Sequence, residues 1–281
     1  MTGILYVVAT PIGNLDDIST RAIDVLSQVT RIAAEDTRHS ARLLQHLGIN
    51  TPLVSVHDHN EAGQVQRLIA QLVTGEDLAL ISDAGTPLIS DPGYRLVAAA
   101  HEASIQVVPV VGACAAIAAL SVAGLPSDRF SFEGFLAAKT SQRQTQLKAL
   151  ANESRTLIFY EAPHRILECV QDMAAIFGSD RRVVLARELT KTFETIKQMT
   201  LAELCEFVAS DTNQQRGEIV LVVEGAPEDS GLMAQQELDA LLLKLLKHLP
   251  VKATAQLAAE LTGHKKNALY DRVLELQKES L

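Results

Sequence analysis

Apolar and polar positions alternate along the chain in a regular way. Short, almost unbroken apolar runs at 4–9, 31–34, 53–56, 78–81 and 105–108 predict buried strands. Between them, apolar residues recur at helical spacing, as in Val65, Leu68, Ile69 and Leu72. Strands that alternate with helices in this way indicate an α/β fold with a mostly parallel sheet.

The apolar rhythm breaks into turn-forming residues near Gly124 and then starts again. Further strands are predicted at 130–133, 155–160, 182–186 and 218–224, with an antiparallel strand over 194–199. After a linker-like stretch at 226–231 the pattern is helical, and 251–270 has the outline of a helix-turn-helix. We therefore expect an α/β domain at 1–124, a second α/β domain at 125–226 and a helical extension at 232–281.

The loop at 82–93 follows the predicted strand at 78–81 and precedes a predicted helix. Ligands bind at the carboxyl ends of strands in open α/β sheets, because free backbone N–H groups converge there. Two glycines and two prolines make this loop both tight and stiff. Asp91 and Pro92 fit the N-cap and the first position of the next helix, whereas Ser82, Asp83 and Thr86 have no such role. We expect a ligand-binding loop.

Other strand ends also carry polar or small residues, where chemistry is commonly found. They are Thr10–Asn14, Glu35–Ser40, Pro109–Ala116, Glu161–Arg165 and Arg187–Glu194. The small residues at 109–116 fit tight helix–sheet packing as well as close approach to a ligand. His57 and His59 flank Asp58, but no further ligands accompany them, so we expect a polar loop there and no metal.

Composition limits the binding partners and the cellular compartment that the protein fits. The net charge of −9 over 281 residues argues against a surface that grips nucleic acid as a whole. Any RNA contact is then local, at basic clusters such as 38–42, 244–252 and 264–266, each of which also fits a solvated helix face. Three cysteines without metal or disulfide spacing indicate a reducing, cytoplasmic setting. The uncharged stretch 105–125 is interrupted by Pro109 and Gly112, which argues against a membrane span.

Several common nucleotide and hydrolase motifs are absent from the sequence, among them G-x-x-x-x-G-K-[ST], G-x-G-x-x-G and G-x-S-x-G. The chemistry is indicated instead by five motifs that occur in order: Leu5–Leu15, Ala34–Arg38, Ser82–Gly93, Phe159–Arg165 and Arg187–Lys191. With these motifs the chain resembles the ribosomal RNA small subunit methyltransferase I family of the tetrapyrrole methylase superfamily. The likeness extends over nearly the whole chain.

The resemblance implies a homodimer of two-domain α/β subunits that bind S-adenosylmethionine in a cleft between the domains. It also implies 2′-O-methylation of a cytidine ribose in the decoding region of 16S rRNA, within the small ribosomal subunit. The loops that contact the cofactor in the family match Pro11, Ile12, Gly13, Asp83, Ala84, Gly85, Thr86, Pro87, Ile89, Ala113, Cys114, Ala115, Tyr160, Glu161 and Leu189.

A ribose hydroxyl must lose its proton to attack a methyl group, so a local base is needed. Lys191 fits if burial lowers its pKa, and Glu188 or Glu35 can accept the proton or orient the base. Lys191 also fits a phosphate contact, and Glu188 an ion pair with Arg187 or Arg38. No metal is called for, because a sulfonium is already a good leaving group.

Residues expected to contact RNA are Arg38, Arg42, Lys265, Lys266 and Arg272. Two other functions stay open. A methylase acting on a tetrapyrrole carbon would share the cofactor loops but leave the C-terminal helices unexplained. A non-catalytic RNA-binding module is disfavoured by the acidic balance and by the ligand loops.

Overall fold

The computed structural model describes residues 2–56, 61–227 and 235–279. The chain separates into two compact units that divide between Gly225 and Ala226. The larger unit contains two five-stranded sheets with helices on their faces, which confirms the predicted α/β class. No helix within the described ranges combines the length and the apolar character that a membrane crossing needs.

The first sheet is parallel throughout and has the order β3-β2-β4-β1-β5. Its strands and helices are β1 (Ile4–Val8), α1 (Thr20–Gln28), β2 (Arg31–Ala34), α2 (Thr37–His46), β3 (Leu53–Ser55), α3 (Glu61–Val73), β4 (Leu78–Ile81), α4 (Tyr94–Glu102) and β5 (Gln106–Val110). All four residues of β4 are buried, because this central strand is covered on both faces. One face packs against α1 and α2 and the other against α3 and α4.

The second sheet is mixed, with the order β6-β7-β10-β8-β9. It comprises β6 (Phe130–Phe135), β7 (Thr156–Glu161), β8 (Arg182–Arg187), β9 (Thr195–Thr200) and β10 (Ile219–Val223), with α5 (Ala115–Ala123), α6 (Thr140–Leu150), α7 (Ile166–Phe177) and α8 (Leu201–Ser210). β6 and β7 are parallel, whereas β10 runs antiparallel to both β7 and β8. The predicted antiparallel strand before residue 200 is confirmed as β9.

Three local features differ from the sequence-based expectation. The strand predicted at 105–108 continues to Val110. Pro109 is tolerated because β5 is an edge strand, where the backbone N–H that proline lacks is not needed for pairing. α8 was not predicted. Asp91 and Pro92 do not cap α4, because Gly93 takes the N-cap position in a left-handed conformation with φ of 118°.

The C-terminal unit contains α9 (Gln235–Leu246), α10 (Val251–Thr262) and α11 (Lys266–Glu279). A small core joins the three helices through Leu242, Ala258 and Val273. α10 ends at Gly263, whose φ of 71° lets the chain turn at once into α11. The predicted helix–turn–helix outline is present.

Candidate active site

A cavity of ≈ 390 Å³ opens in the larger unit where loops of the two sheets meet. This volume lies within the range of small-molecule sites. The walls are mainly apolar, and the charged residues that line them are all acidic. The lining consists of Ile12, Ala84, Gly85, Thr86, Ile89, Ser90, Asp91, Cys114, Ala115, Phe135, Tyr160, Glu161, Ala162, Pro163, Ala186, Leu189, Gly217, Glu218, Ile219 and Val220.

Three loops of the first sheet form one wall of the cavity and are pinned to each other. Thr10 and Gly85 exchange two backbone hydrogen bonds, with N···O distances of 2.8 and 3.1 Å. The Thr86 hydroxyl donates to the Ala113 carbonyl at 2.9 Å. The Asp83 carboxylate accepts the backbone N–H of Asp36 at 3.0 Å, which fixes the loop after β2 as well. The wall is therefore preorganised for a ligand.

The opposite wall is built on β7. The Tyr160 hydroxyl accepts the backbone N–H of Ala116 at 3.1 Å, and burial raises the pKa of this phenol. Phe132 and Phe135 pack edge-on against its ring, with centroids 4.9 and 5.6 Å away. The buried Glu161 pairs through Oε1 with Arg165 at 2.5 Å, while its Oε2 has no hydrogen-bond partner among the described residues. Tyr160 is thus held rigidly between the two halves of the unit.

A charged cluster lies at the end of β8. The Lys191 ammonium is 3.0 Å from the Glu188 carboxylate and 3.1 Å from that of Glu218. Burial acts to lower the pKa of Lys191, but the hydrogen bonds to these two carboxylates outweigh it and raise the pKa. Burial likewise opposes ionisation of Glu188, yet the Glu218 N–H and the Lys191 ammonium lower its pKa on balance. The condition that burial lowers the pKa of Lys191 is therefore not met.

Gly13 brings the loop after β1 against this cluster. A Cβ at Gly13 would lie 2.5 Å from Lys191 Cγ and 2.9 Å from the Leu189 carbonyl oxygen. The neighbouring Asn14 N–H donates to Thr190 Oγ1 at 3.0 Å. Only glycine permits so close an approach between the loops of the two sheets.

The structure brings most of the predicted cofactor residues to one cavity. Those in its lining are Ile12, Ala84, Gly85, Thr86, Ile89, Cys114, Ala115, Tyr160, Glu161 and Leu189. Pro11, Gly13, Asp83, Pro87 and Ala113 are outside the lining but belong to the same loops. Of the predicted catalytic residues, Lys191 and Glu188 contact the lining residue Glu218, whereas Glu35 follows β2 and is not in the lining.

Ten lining residues were not among the predicted cofactor contacts: Phe135, Ala162, Pro163, Ala186 and the members of two groups. The first is Gly217–Val220, at the start of β10. Because β10 is antiparallel, its amino end lies beside the carboxyl ends of β7 and β8, where Ile219 pairs with Glu161 and Arg187. The other is Ser90 and Asp91, which lie in the predicted ligand-binding loop, where the sequence favoured a helix cap for Asp91. The antiparallel strand predicted at 194–199 was the only signal that not every strand points the same way.

None of the predicted RNA contacts is in the lining of this cavity. Arg38 pairs with Asp36 at 3.1 Å on the surface, which lowers the pKa of Asp36 to about 2, and Arg42 is exposed one turn further along α2. In the C-terminal unit Lys265 is exposed, and Lys266 donates to Gln256 at 3.2 Å.

Arg272, by contrast, is engaged inside the C-terminal unit. It makes a bidentate pair with Asp239 at 2.9 and 2.6 Å and a further pair with Glu275 at 2.8 Å. The pair with Asp239 ties α11 to α9, whereas Glu275 lies on α11 itself. Within the described ranges no group of three or more His, Cys, Asp or Glu side chains could hold a metal ion, and the loop at 57–60 lies outside those ranges.

Comparison with known proteins gives a consistent result. Residues 4–205 match the tetrapyrrole (corrin/porphyrin) methylases, and residues 233–277 match the RsmI C-terminal HTH domain. The ribosomal RNA small subunit methyltransferase I of Pseudomonas aeruginosa is 61% identical over 99% of both chains. The protein of the same name from Escherichia coli O157:H7 is 55% identical over 98% of this chain and 96% of its own.

Solved structures support the fold alone. The uroporphyrin-III-C-methyltransferase of Thermus thermophilus has a TM-score of 0.56 at 21% identity and covers 79% of this chain and 94% of its own. A diphthine synthase has a TM-score of 0.60 at 15% identity, covering 79% and 89%.

Proposed function

The chain belongs to the ribosomal RNA small subunit methyltransferase I family of tetrapyrrole methylases, and we propose that it methylates 16S rRNA with S-adenosylmethionine. The target is the 2′-oxygen of a cytidine ribose in the decoding region of the small ribosomal subunit. The observation that carries this proposal is the 61% identity over 99% of both chains, which includes the C-terminal helical unit.

The cavity suits this cofactor by its chemistry. S-adenosylmethionine presents a cationic sulfonium and a cationic ammonium, together with an apolar, aromatic nucleoside. The lining provides carboxylates without any lysine or arginine, and Ile12, Leu189 and Tyr160 provide apolar surface. We propose that backbone groups of the pinned loops at 84–86 and 114–115 orient the ligand. When bound, the cofactor supplies a methyl group on a sulfonium sulfur.

We propose that the charged cluster at 188–191 acts on the RNA substrate. Lys191 holds its proton beside Glu188 and Glu218, so its ammonium is suited to a phosphate or to orienting the ribose. Glu188 is held ionised and accepts the Glu218 N–H at 2.9 Å. In this proposal Glu188 positions Lys191, and Glu35 remains a candidate proton acceptor at the neighbouring strand end.

The C-terminal unit is proposed to dock RNA. Lys265 and Lys266 stand at the start of α11, where exposed ammonium groups can pair with phosphates. In the larger unit, Arg38 and Arg42 on the exposed face of α2 are the groups proposed to pair with phosphates. Arg272 is better explained as a structural residue, because its guanidinium is already shared by two carboxylates.

We also propose a homodimer and a cytoplasmic enzyme. The outer face of α5 exposes Ile117 and Val122, each to 50%, and Phe193 beside β9 is 73% exposed. Gln198 of β9 donates to the Ala123 and Gly124 carbonyls at the end of α5, so α5 and β9 are neighbouring elements, and Phe193 lies two residues before β9. Exposed apolar side chains of this kind favour contact with a second copy.

The test is transfer of a labelled methyl group from S-adenosylmethionine to small subunits purified from cells that lack the enzyme. The proposal is supported if 16S rRNA of these subunits becomes labelled and subunits from cells that have the enzyme do not. Label in a small tetrapyrrole and none in RNA would favour the tetrapyrrole alternative.

A further inference from the structure

Asp91 lies at the cavity wall on a tightly constrained loop. Leu88 and Ser90 have positive φ angles of 74° and 68°, and Gly93 has a φ of 118°. A Cβ at Gly93 would come within 2.8 Å of Leu80, so the chain is pressed against β4 at this point. The half-buried Asp91 carboxyl is thereby presented to the cavity by the backbone itself.

The other cavity carboxylates already have cations. Glu161 is paired with Arg165 at 2.5 Å, and Glu218 with Lys191 at 3.1 Å. Within the described ranges no ion pair includes Asp91, and the same loop adds a second anion, Asp83. A half-buried carboxyl that faces a cavity without a counter-ion has a charge left for a ligand to neutralise.

The titration of Asp91 agrees with this geometry. Burial raises its pKa to about 6, the charge of Asp83 adds to the rise, and hydrogen bonding by the Ser82 hydroxyl opposes it. On the facing elements, Tyr160 is close enough to Asp91 and Cys114 to interact with both, and burial raises the pKa of Tyr160, so its phenol stays neutral. Glu161 and Glu218 complete the titratable groups of the lining.

We propose that Asp91 is the counter-ion for a cationic group of S-adenosylmethionine, and that binding of the cofactor expels the proton from this carboxyl. The inference rests on the proposed function. It adds to cofactor binding one residue that contacts the cofactor and the release of a proton. The cationic group is either the sulfonium or the ammonium of the methionine part. S-adenosylhomocysteine separates the two, because it keeps the ammonium and has a neutral sulfur.

Linkage gives the expected pH dependence. Below its pKa Asp91 carries a proton, which must leave before the carboxylate can pair with the cation. At pH 6 about half of the free protein is protonated, so cofactor binding releases up to roughly half a proton. Affinity for S-adenosylmethionine therefore rises as pH increases from 5 to 7 and then levels off.

The experiment is calorimetry of S-adenosylmethionine binding to the full chain at pH 6, in phosphate and in Bis-Tris, whose ionisation enthalpies differ. For the wild type we expect a buffer-dependent heat that reports proton release. Asp91→Asn should abolish the release and weaken binding by about tenfold or more, and Asp91→Glu should restore part of both. Asp17→Asn, an exposed acid outside the cavity lining, is the matched control and should keep the release.

Binding of S-adenosylhomocysteine shows which cationic group of the cofactor pairs with Asp91. If Asp91 pairs with the sulfonium, Asp91→Asn leaves the affinity for S-adenosylhomocysteine unchanged, and if it pairs with the ammonium, both ligands lose affinity equally. Normal binding without proton release in the wild type, together with normal affinity in Asp91→Asn, overturns the inference. The inference also fails if Asp91→Asn loses turnover but keeps its affinity for the cofactor. Absence of wild-type binding at every pH instead contradicts the proposed function.

Discussion

Lys191 shows how two opposing effects decide the chemistry of a single residue. Burial alone would favour the neutral amine and a general base, but hydrogen bonds to Glu188 and Glu218 keep the ammonium charged. Its pKa is raised, so the charge is present at neutral pH and is lost only as pH rises through that value. The sequence placed Lys191 at a strand end, but it held no sign of the contact with Glu218, which lies far along the chain.

Charge, and not basicity, is therefore the property of Lys191 that we expect to matter. Lys191→Arg should keep most of the turnover, whereas Lys191→Met should lower kcat/KM by at least about tenfold. Any rise of the methylation rate between pH 6 and 9 in the wild type should also be present in Lys191→Arg. If Lys191→Arg is as inactive as Lys191→Met, and the rise of rate with pH that the wild type shows is lost in it, Lys191 is the base.

Asp91 marks the limit of prediction from sequence at this scale. An Asp-Pro-Gly triplet before an apolar stripe has the pattern of a helix cap, and the local signal favoured that interpretation. Gly93 instead takes the N-cap position in a left-handed backbone so close to Leu80 that an added Cβ would lie 2.8 Å from it, and α4 begins at Tyr94. That contact joins the loop to a buried strand, and no local pattern reports it.

Among the elements, strands were easier to predict than their directions. The fully apolar β4 and the stripes of the neighbouring helices were enough to predict the first sheet. α8 was not predicted, although Thr200 and Glu203 have capping-box spacing and Leu201, Leu204 and Val208 are its buried face. Gly217–Val220 belong to the site because β10 runs antiparallel to β7 and β8. The direction of a strand depends on its pairing partners, which the sequence does not reveal.

The contact between the loop after β1 and the loop after β8 can be tested by adding one methyl group. Gly13→Ala should weaken cofactor binding and lower the melting temperature, because its Cβ would overlap Lys191 and the backbone of Leu189. Gly63→Ala is the control, since Gly63 is within α3 and a Cβ there meets nothing within 4 Å. This control should raise the free energy of unfolding by up to about 1 kcal/mol. Equal behaviour of the two variants would show that the loops are not in close contact.

For the molecule as a whole, the chain divides into two compact units. We propose that the larger one binds the cofactor and that the C-terminal one helps to dock RNA. Lys265→Glu with Lys266→Glu in the full chain should leave cofactor affinity unchanged and raise KM for small subunits. The effect should be largest at low salt, because phosphate contacts are salt-dependent. Arg272→Ala should instead lower the stability of the C-terminal unit by breaking its link to Asp239.

These two outcomes are separated by melting curves alongside the kinetics. A charge-reversed protein that methylates subunits with unchanged KM at every salt concentration would contradict docking through α11. The boundary between the two α/β domains at residues 124 and 125 stays a prediction, and so does the extension from residue 232.

Dimer formation is tested on the exposed face of α5. Ile117→Asp should convert a dimer into a monomer in light scattering at micromolar concentration, because it places a charge in an apolar interface. The buried face of the same helix, with Ala116 and Ala119, is unaffected, so the circular dichroism spectrum should not change. A wild-type protein that is already monomeric would remove the proposal.

The cavity between the loops of the two sheets is proposed to serve methylation of a ribose oxygen in 16S rRNA, and the other proposals depend on this one. Alkaline hydrolysis of the product RNA after transfer of a labelled methyl group tests it at the reacting atom. A 2′-O-methyl group removes the hydroxyl that attacks the adjacent phosphodiester, so we predict that the label is recovered in an uncleaved dinucleotide that contains cytidine. Recovery of the label in a mononucleotide would place the methyl group on a base and contradict ribose methylation.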